Sequence, residues 1–273
     1  MSIVGYLNRK LRKKVKIPIP YGIDERKTLD GRVAIITGGG SGIGFSIAEA
    51  FLHHGAKVII AGRNEKKLIE ACDKLNQISL SIGYVCIDIS NVEDIEDKIR
   101  LMFQKYGKID ILVNSAGKHY TEEFGKVSER EFSYIMDTNV KGTYFITQTV
   151  CNLMIEKKIR GNILNVSSSS GIRPAWGPYH MSKWALDGMT KGFADKALKY
   201  GIVVNAVAPG QTATPMLNVD KDDIDNEPTM LERYIMPAEI ANVAVFLVSD
   251  LGRIIVGDTI YASGGSGIVN SHR

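Results

Sequence analysis

Tyr179 and Lys183 stand four residues apart in Tyr-His-Met-Ser-Lys. On a helix, that spacing puts both side chains on one face. A free tyrosine, with a pKa of about 10, is a poor acid–base group at neutral pH. A neighbouring ammonium favours the tyrosinate and lowers that pKa, so the pair can give and take a proton. Alone, such a pair is most often a surface coincidence. Just upstream, however, the apolar run Asn162-Ile-Leu-Asn-Val166 ends in Ser167-Ser-Ser-Ser-Gly171. A serine hydroxyl at the carboxyl edge of a sheet can donate to a substrate carbonyl oxygen beside the tyrosine. The plainer reading of a serine run is a polar loop.

The second chemical feature is Thr37-Gly-Gly-Gly-Ser-Gly-Ile-Gly44, between a β-branched run and a helical pattern. Glycines there allow a tight turn, close approach of the backbone to a pyrophosphate, and close helix–strand packing. A helix N-terminus adds free N–H groups and partial positive charge. Gly38, Ser41, Gly42, Ile43 and Gly44 are therefore expected to cradle a dinucleotide. The loop lacks the Lys-Ser/Thr ending of a nucleoside triphosphatase loop. At the end of the next run stands Ala61-Gly-Arg-Asn64, where an acidic residue would bind the ribose hydroxyls of NAD. Arg63 instead offers paired, charge-assisted hydrogen bonds to a 2′-phosphate, which favours NADP, with NAD as the alternative. Asp88 ends a further run with Ile89 beside it. Its carboxylate suits the adenine amino group, and a helix-cap role for Asp88 or Ser90 explains it nearly as well.

In order along the chain, these pieces resemble the short-chain dehydrogenase/reductase family, in its shorter group. The matching set also includes Asn114-Ser-Ala-Gly117, Asn139 in Asn-Val-Lys-Gly, Pro209-Gly210 with Thr214, and Gly264-Gly265, and it extends from Leu29 to about Gly267. The resemblance implies hydride transfer between a nicotinamide cofactor and an alcohol/carbonyl substrate. Tyr179 then looks like the acid of reduction and the base of oxidation, and Lys183 like the residue that tunes it and grips the ribose. Asn139 matches the asparagine whose backbone, in a kinked helix, holds a water of the proton relay. Ser168, in Ser-x-x-Gly with Gly171, matches the substrate-orienting serine. Asn114, Ala116 and Gly117 match the cofactor-side strand end, and Pro209, Gly210, Thr212 and Thr214 the segment that holds the carboxamide and pyrophosphate. The stretch from Ser168 to Tyr179 is shorter than the family's usual one, which leaves Ser167 as the fallback. Ser115 replaces the commoner second asparagine.

Something must hold these residues at one edge. β-Branched runs at 33–37, 57–61, 82–87, 109–114, 161–167, 201–208 and 257–262 alternate with helical segments such as 44–56 and 92–108. Near-continuous apolar runs alternating with helices predict a parallel sheet covered on both faces. The expected fold is α/β: one doubly wound Rossmann domain with a seven-stranded parallel sheet over residues 29–273. Residues 1–28 form a basic N-terminal extension. The segments after the strands should line the substrate pocket, with His119, Tyr120, Ser170, Arg173, Trp176, Met216 and Leu217 as candidates. His119, Arg173 and Trp176 are the residues that would recognise a polar or anionic substrate, and residues 215–235 form a candidate lid.

The chain has 273 residues, with 44% hydrophobic and 23% charged residues, which excludes global disorder and fibrous repeats. No apolar run reaches the ~18 residues of a membrane span. Cys72, Cys86 and Cys151 are too few for a disulfide framework, and the five histidines lack metal-ligand spacing, so no metal site is expected. These features fit a cytoplasmic protein. Residues 1–28 hold eight Lys/Arg against two Asp/Glu, and the remainder is slightly acidic, so the body gives no reason to expect nucleic acid. Ile3, Leu7 and Leu11 among the tail's basic residues make a short amphipathic helix candidate ending at Pro18 and Pro20. A membrane-surface contact through residues 1–16 is one reading, and a frayed or subunit-docking tail is the simpler one. The resemblance also implies a homotetramer or homodimer, assembled through the helices at 129–157 and 178–200. A non-enzymatic NADP-binding regulator on the same fold is the alternative function. The intact Asn139, Ser168, Tyr179 and Lys183 favour the enzyme.

Overall fold

The structure is a computed structural model that describes residues 27–120, 123–217 and 233–268, with Val219 and Leu231. The basic extension to residue 26 and the acidic stretch 220–230 lie outside the described residues. No described helix is long and apolar enough to cross a membrane.

Seven strands form one parallel sheet in the order β3-β2-β1-β4-β5-β6-β7. They are β1 (Val33–Thr37), β2 (Lys57–Gly62), β3 (Ile82–Cys86), β4 (Ile111–Asn114), β5 (Asn162–Val166), β6 (Val203–Val207) and β7 (Thr259–Ile260). β1, β4 and β5 are buried at every position, which is why they read as continuous apolar runs and not as alternating ones. Helices α1 (Gly42–His53), α2 (Glu65–Leu75) and α7 (Pro237–Val248) belong to one face. Helices α3 (Ile95–Tyr106), α4 (Glu129–Met136), α5 (Thr143–Glu156) and α6 (Pro178–Ala197) belong to the other. Two apolar clusters result. One is built around Ile36, Phe51 and Ile60. The other is built around Ile35, Ile99 and Ile146. Alternate residues of β1 thus feed opposite cores, as the period of a strand requires.

The seven parallel strands appear where the β-branched runs place them, with trimmed ends. β7 keeps only two residues of the run at 257–262, and the expected helix at 92–108 opens with a 3₁₀ turn, Val92–Asp94, before α3. The chain runs from β1 outward to β3 and then returns to β4 on the other side of β1. Thr37 pairs with Ala61 on one side and Asn114 on the other. The order of strands therefore reverses at β1, and a crevice opens outside the carboxyl ends at such a point.

Candidate active site

A cleft of about 720 Å³ occupies that crevice. Its floor is the turn from β1 into α1. Gly38 has φ +69°, and a Cβ there would sit 2.9 Å from the backbone of Ala116, so this position needs glycine on both counts. A Cβ on Gly44 would lie 2.5 Å from the carbonyl oxygen of Gly38, so helix and loop are in direct backbone contact. Ser41 is the N-cap of α1 but makes no side-chain cap, and no acidic residue occupies the first turn. The dipole of α1 is left facing the cleft. Thr37 ties the floor together: its Oγ1 accepts from the amides of Ser115 and Ala116 at 3.1 Å each and donates to Val113 O at 3.4 Å. The sequence reading gave Thr37 no such role.

At one end of the cleft, Arg63 follows β2, and Asn64 caps α2 by accepting from the Lys67 amide at 3.0 Å. That cap brings Lys67 to the cleft lining as a second cation beside Arg63. The phosphate loop lacks one, and residue 67 carries no mark in the sequence beyond lying one helical turn past a cap. Asp88 also lines the cleft. Burial opposes its ionisation. The hydroxyl and amide of Ser90, donating to Oδ1 at 2.7 and 2.9 Å, with Lys118 and Arg63 nearby, bring the carboxyl below its ordinary range. Neither Asp88 nor Ser90 caps a helix: Asn91 holds the N-cap position of the 3₁₀ turn that follows, and Asp88 instead closes a local turn on Ser90 and faces the cleft.

The other end holds the proton-transfer residues. Gly177 caps α6 and Pro178 takes its first position, where the missing N–H costs nothing. Tyr179 comes next, in the first turn, and Lys183 lies one turn behind it with Nζ 5.6 Å from the tyrosine ring centre. Lys183 is buried and donates to Val166 O, the last residue of β5, at 3.0 Å. Burial brings its pKa down from 10.5 to about 8, against the pull of Asp187. His119 meets Tyr179 edge-on at 4.7 Å between ring centres. Ser168 follows β5 and caps a 3₁₀ turn, Ser169–Ile172, by accepting from the Ser170 amide at 3.1 Å. Ser167 Oγ is buried with no hydrogen-bond partner among the described residues.

Gly38, Ser41, Gly42, Ile43, Gly44, Arg63, Asp88, Ile89, Ala116, Gly117, Ser168, Tyr179, Lys183, Pro209, Gly210, Thr212 and Thr214 all line this one cleft. Asn114 and Asn139 do not. Asn114 is buried behind the sheet edge, donating to Thr147 Oγ1 at 2.8 Å and to Asn165 Oδ1 at 2.9 Å, so it locks β4 to β5 and α5. Asn139 sits in a π-helical segment, Asp137–Gly142, between α4 and α5. Its amide clamps the Lys118 backbone, accepting at 2.7 Å and donating at 3.0 Å, and also donates to Ser182 Oγ at 3.1 Å. Among the pocket candidates, His119, Ser170, Arg173, Met216 and Leu217 line the cleft, whereas Tyr120 and Trp176 do not. Trp176 is exposed and packs edge-on against Phe124.

A family model described as short chain dehydrogenase matches residues 32–225. The chain belongs to the short-chain dehydrogenase family. Among curated proteins it is 34% identical over 241 residues to an acetoacetyl-CoA reductase of Acinetobacter sp. (strain RA3849), covering 86% of this chain and 97% of that protein. It is 33% identical over 242 residues to a 3-oxoacyl-[acyl-carrier-protein] reductase of Thermotoga maritima, covering 87% and 98%. Among solved structures it superposes on an actinorhodin polyketide ketoreductase holding NADPH with TM-score 0.80 and 28% identity, covering 88% of this chain and 99% of that one. A 3-ketoacyl-(acyl-carrier-protein) reductase of Brucella melitensis complexed with NADH gives TM-score 0.77 and 31% identity, with 88% and 99% covered. This short-chain dehydrogenase is an oxidoreductase, and the two solved neighbours hold NADPH and NADH. The glycine floor, with no room for side chains at Gly38 and Gly44, and the open N-terminus of α1 fit such a group.

Proposed function

We propose that this short-chain dehydrogenase transfers hydride between NADP(H) and an alcohol/carbonyl substrate, with Tyr179 as general acid in reduction and general base in oxidation. One observation carries the reading: Tyr179 opens α6 into the same cleft as the glycine floor, with a buried lysine one turn behind it. When bound, a nicotinamide ring supplies the hydride, or takes it in the reverse direction. Gly38 to Gly44 would hold its pyrophosphate, and Pro209, Gly210, Thr212 and Thr214 would hold the carboxamide side. Asp88, Ile89, Ala116 and Gly117 would hold the adenosine side.

In reduction, the Tyr179 hydroxyl gives its proton to the oxygen that becomes the alcohol. Ser168 donates a hydrogen bond to that oxygen and fixes the carbonyl. The Lys183 ammonium stabilises the tyrosinate left behind and would hold the ribose hydroxyls of the bound dinucleotide. Asn139 supports proton resupply through its backbone in the π segment, where the regular helical ladder is interrupted. Arg63, joined by Lys67, supports NADP over NAD, because paired cations suit a 2′-phosphate. The regulator alternative is less well supported, because the named relatives are reductases and the chain keeps Asn139, Ser168, Tyr179 and Lys183.

Two of the named relatives are an acetoacetyl-CoA reductase and a 3-oxoacyl-[acyl-carrier-protein] reductase, so 3-oxoacyl thioesters head the substrate list for this chain. Large side chains left exposed on α4 to α6, among them Phe132, Tyr144 and Trp184, support a homo-oligomer through those helices. The deciding experiment is NADPH and NADH oxidation by the wild type and Tyr179→Phe over a carbonyl panel that begins with acetoacetyl-CoA. NADPH-dependent turnover in the wild type alone is the expected result. Equal turnover by Tyr179→Phe would refute the assigned acid.

A further inference from the structure

Asp187 lies one further turn along α6, on the same face as Tyr179 and Lys183, and the reaction as described gives it no task. It is buried, at 9% exposure, and buried carboxylates are rare without partners. Its partners come from the edge strand of the sheet and the segment after it. Thr259 of β7 donates through Oγ1 to Oδ1 at 3.3 Å, and Tyr261, just past β7, donates through its hydroxyl to Oδ2 at 3.2 Å. Oδ2 also rests against Gly171, where a Cβ would come within 2.7 Å of it. Gly171 belongs to the turn that Ser168 caps. The carboxylate is therefore held from three sides: by its own helix, by the end of β7, and by the serine turn.

We propose that Asp187 is a positioning residue for the Tyr179–Lys183 pair, a fixed negative charge that keeps the buried Lys183 ammonium protonated and seats the Ser168 turn against α6. The proposal rests on the acid–base reading of Tyr179. Lys183 is hydrogen-bonded to a neutral carbonyl, that of Val166, which gives a buried ammonium little compensation for lost water. Asp187 pulls its pKa upward against the burial that lowers it. The groups facing Lys183 are Tyr179 and Asp187 on its own helix and the Val166 carbonyl of β5. Around Asp187 stand Thr259 and Tyr261, and Asp258, just before β7, acts on Tyr261. Burial, then Asp187 and Asp258, push the Tyr261 hydroxyl up to about 12, so it stays a proton donor throughout the working range. The anchor holding Asp187 therefore does not titrate when the pair does.

The test reads Lys183 directly and needs no substrate. The full chain is labelled with [13Cε]lysine and titrated by NMR, with Lys183→Met identifying the resonance. Asp187→Asn keeps the shape and one acceptor oxygen, replaces the other with an amide NH2 that must donate to a hydroxyl, and removes the charge. The expected result is a downward shift of the Lys183 midpoint by about one pH unit, the scale of a nearby charge. A midpoint unchanged to within about 0.2 unit, at the resolution that this scale demands, overturns the proposal. Asp187→Ser, smaller and equally uncharged, decides the matter if the asparagine variant does not fold. Failure of the Tyr179 reading would show separately, as turnover retained in Tyr179→Phe.

Discussion

The two edges of the same sheet handle their polar groups in opposite ways. At the amino edge, Arg32 donates to Val248 O at 2.9 Å, Asn162 Oδ1 at 2.7 Å and Asp110 O at 3.3 Å. Asp110 accepts from the Val33 amide at 2.8 Å and pairs with Lys108 at 3.0 Å. Burial lowers the Arg32 pKa, and Asp110 and Asp250 resist that. Donors and acceptors there are spent on one another, and they tie β1, β4, β5 and the end of α7 into one block. At the carboxyl edge, the open end of α1, the unpartnered Ser167 hydroxyl and the weakly compensated Lys183 face a cleft. Polar groups at one end hold the fold. At the other they are held ready for a ligand and cost stability. Chemistry can be placed at the carboxyl edge because the amino edge secures the strands independently.

The largest test of this contrast is Tyr179→Phe. Turnover should fall by about a hundredfold or more, within the range of general acid–base catalysis, while NADPH affinity and melting temperature hardly move. Arg32→Met should do the reverse. It orphans Asn162 Oδ1 and the Val248 carbonyl, leaves Asp110 O only the Asn162 amide, and should cost about 2 kcal/mol in denaturant unfolding, with cofactor affinity unchanged. A loss of cofactor binding in proportion to stability would break the separation of the edges. Arg63→Ala should weaken NADPH by about tenfold or more and NADH little, as measured by fluorescence titration, because one charge-assisted pair is removed from the phosphate alone. Equal weakening would sink the 2′-phosphate assignment.

The subtlest effect is a pH dependence of stability. Lys183 titrates near 8 in the folded chain and near 10.5 unfolded, so the unfolded chain holds more protons between those values. The penalty for burying its charge is present in full below about 8 and fades as pH rises toward about 10.5. Stability should therefore gain from Lys183 across that window, and Lys183→Met should lack the gain in parallel denaturation series.

Much of this was legible because period and punctuation are local. The buried strands β1, β2, β4 and β5 announce themselves as β-branched runs, and the turn from β1 into α1 announces itself by glycine. The direction of a side chain at a strand end is not local. Asn114 ends β4 next to the cleft, yet it turns toward Thr147 and Asn165, partners that lie 33 and 51 residues away. Lys67 reaches the cleft only because the Asn64 cap aims the first turn of α2. Trp176 looked like a pocket residue by position, but the cleft is lined by Arg173 and Ser170 from the same loop, and Trp176 faces outward. Asp187 drew no attention because its partners, Thr259 and Tyr261, stand 72 and 74 residues away. Pairings at such distances carry no periodic signature.

The return of the chain from β3 to β4 also has a bearing on time. The floor of the cleft closes when Thr37 receives the amides of Ser115 and Ala116, 78 and 79 residues later. The lining is complete only when Ser266 arrives. Such long-range closures are slow steps, because loop entropy must be overcome before any contact rewards it. A growing chain on the ribosome therefore carries its glycine loop first without Ser115 and Ala116, and then with an incomplete lining until its last residues are made. A complete cleft is present only once the last strands have docked.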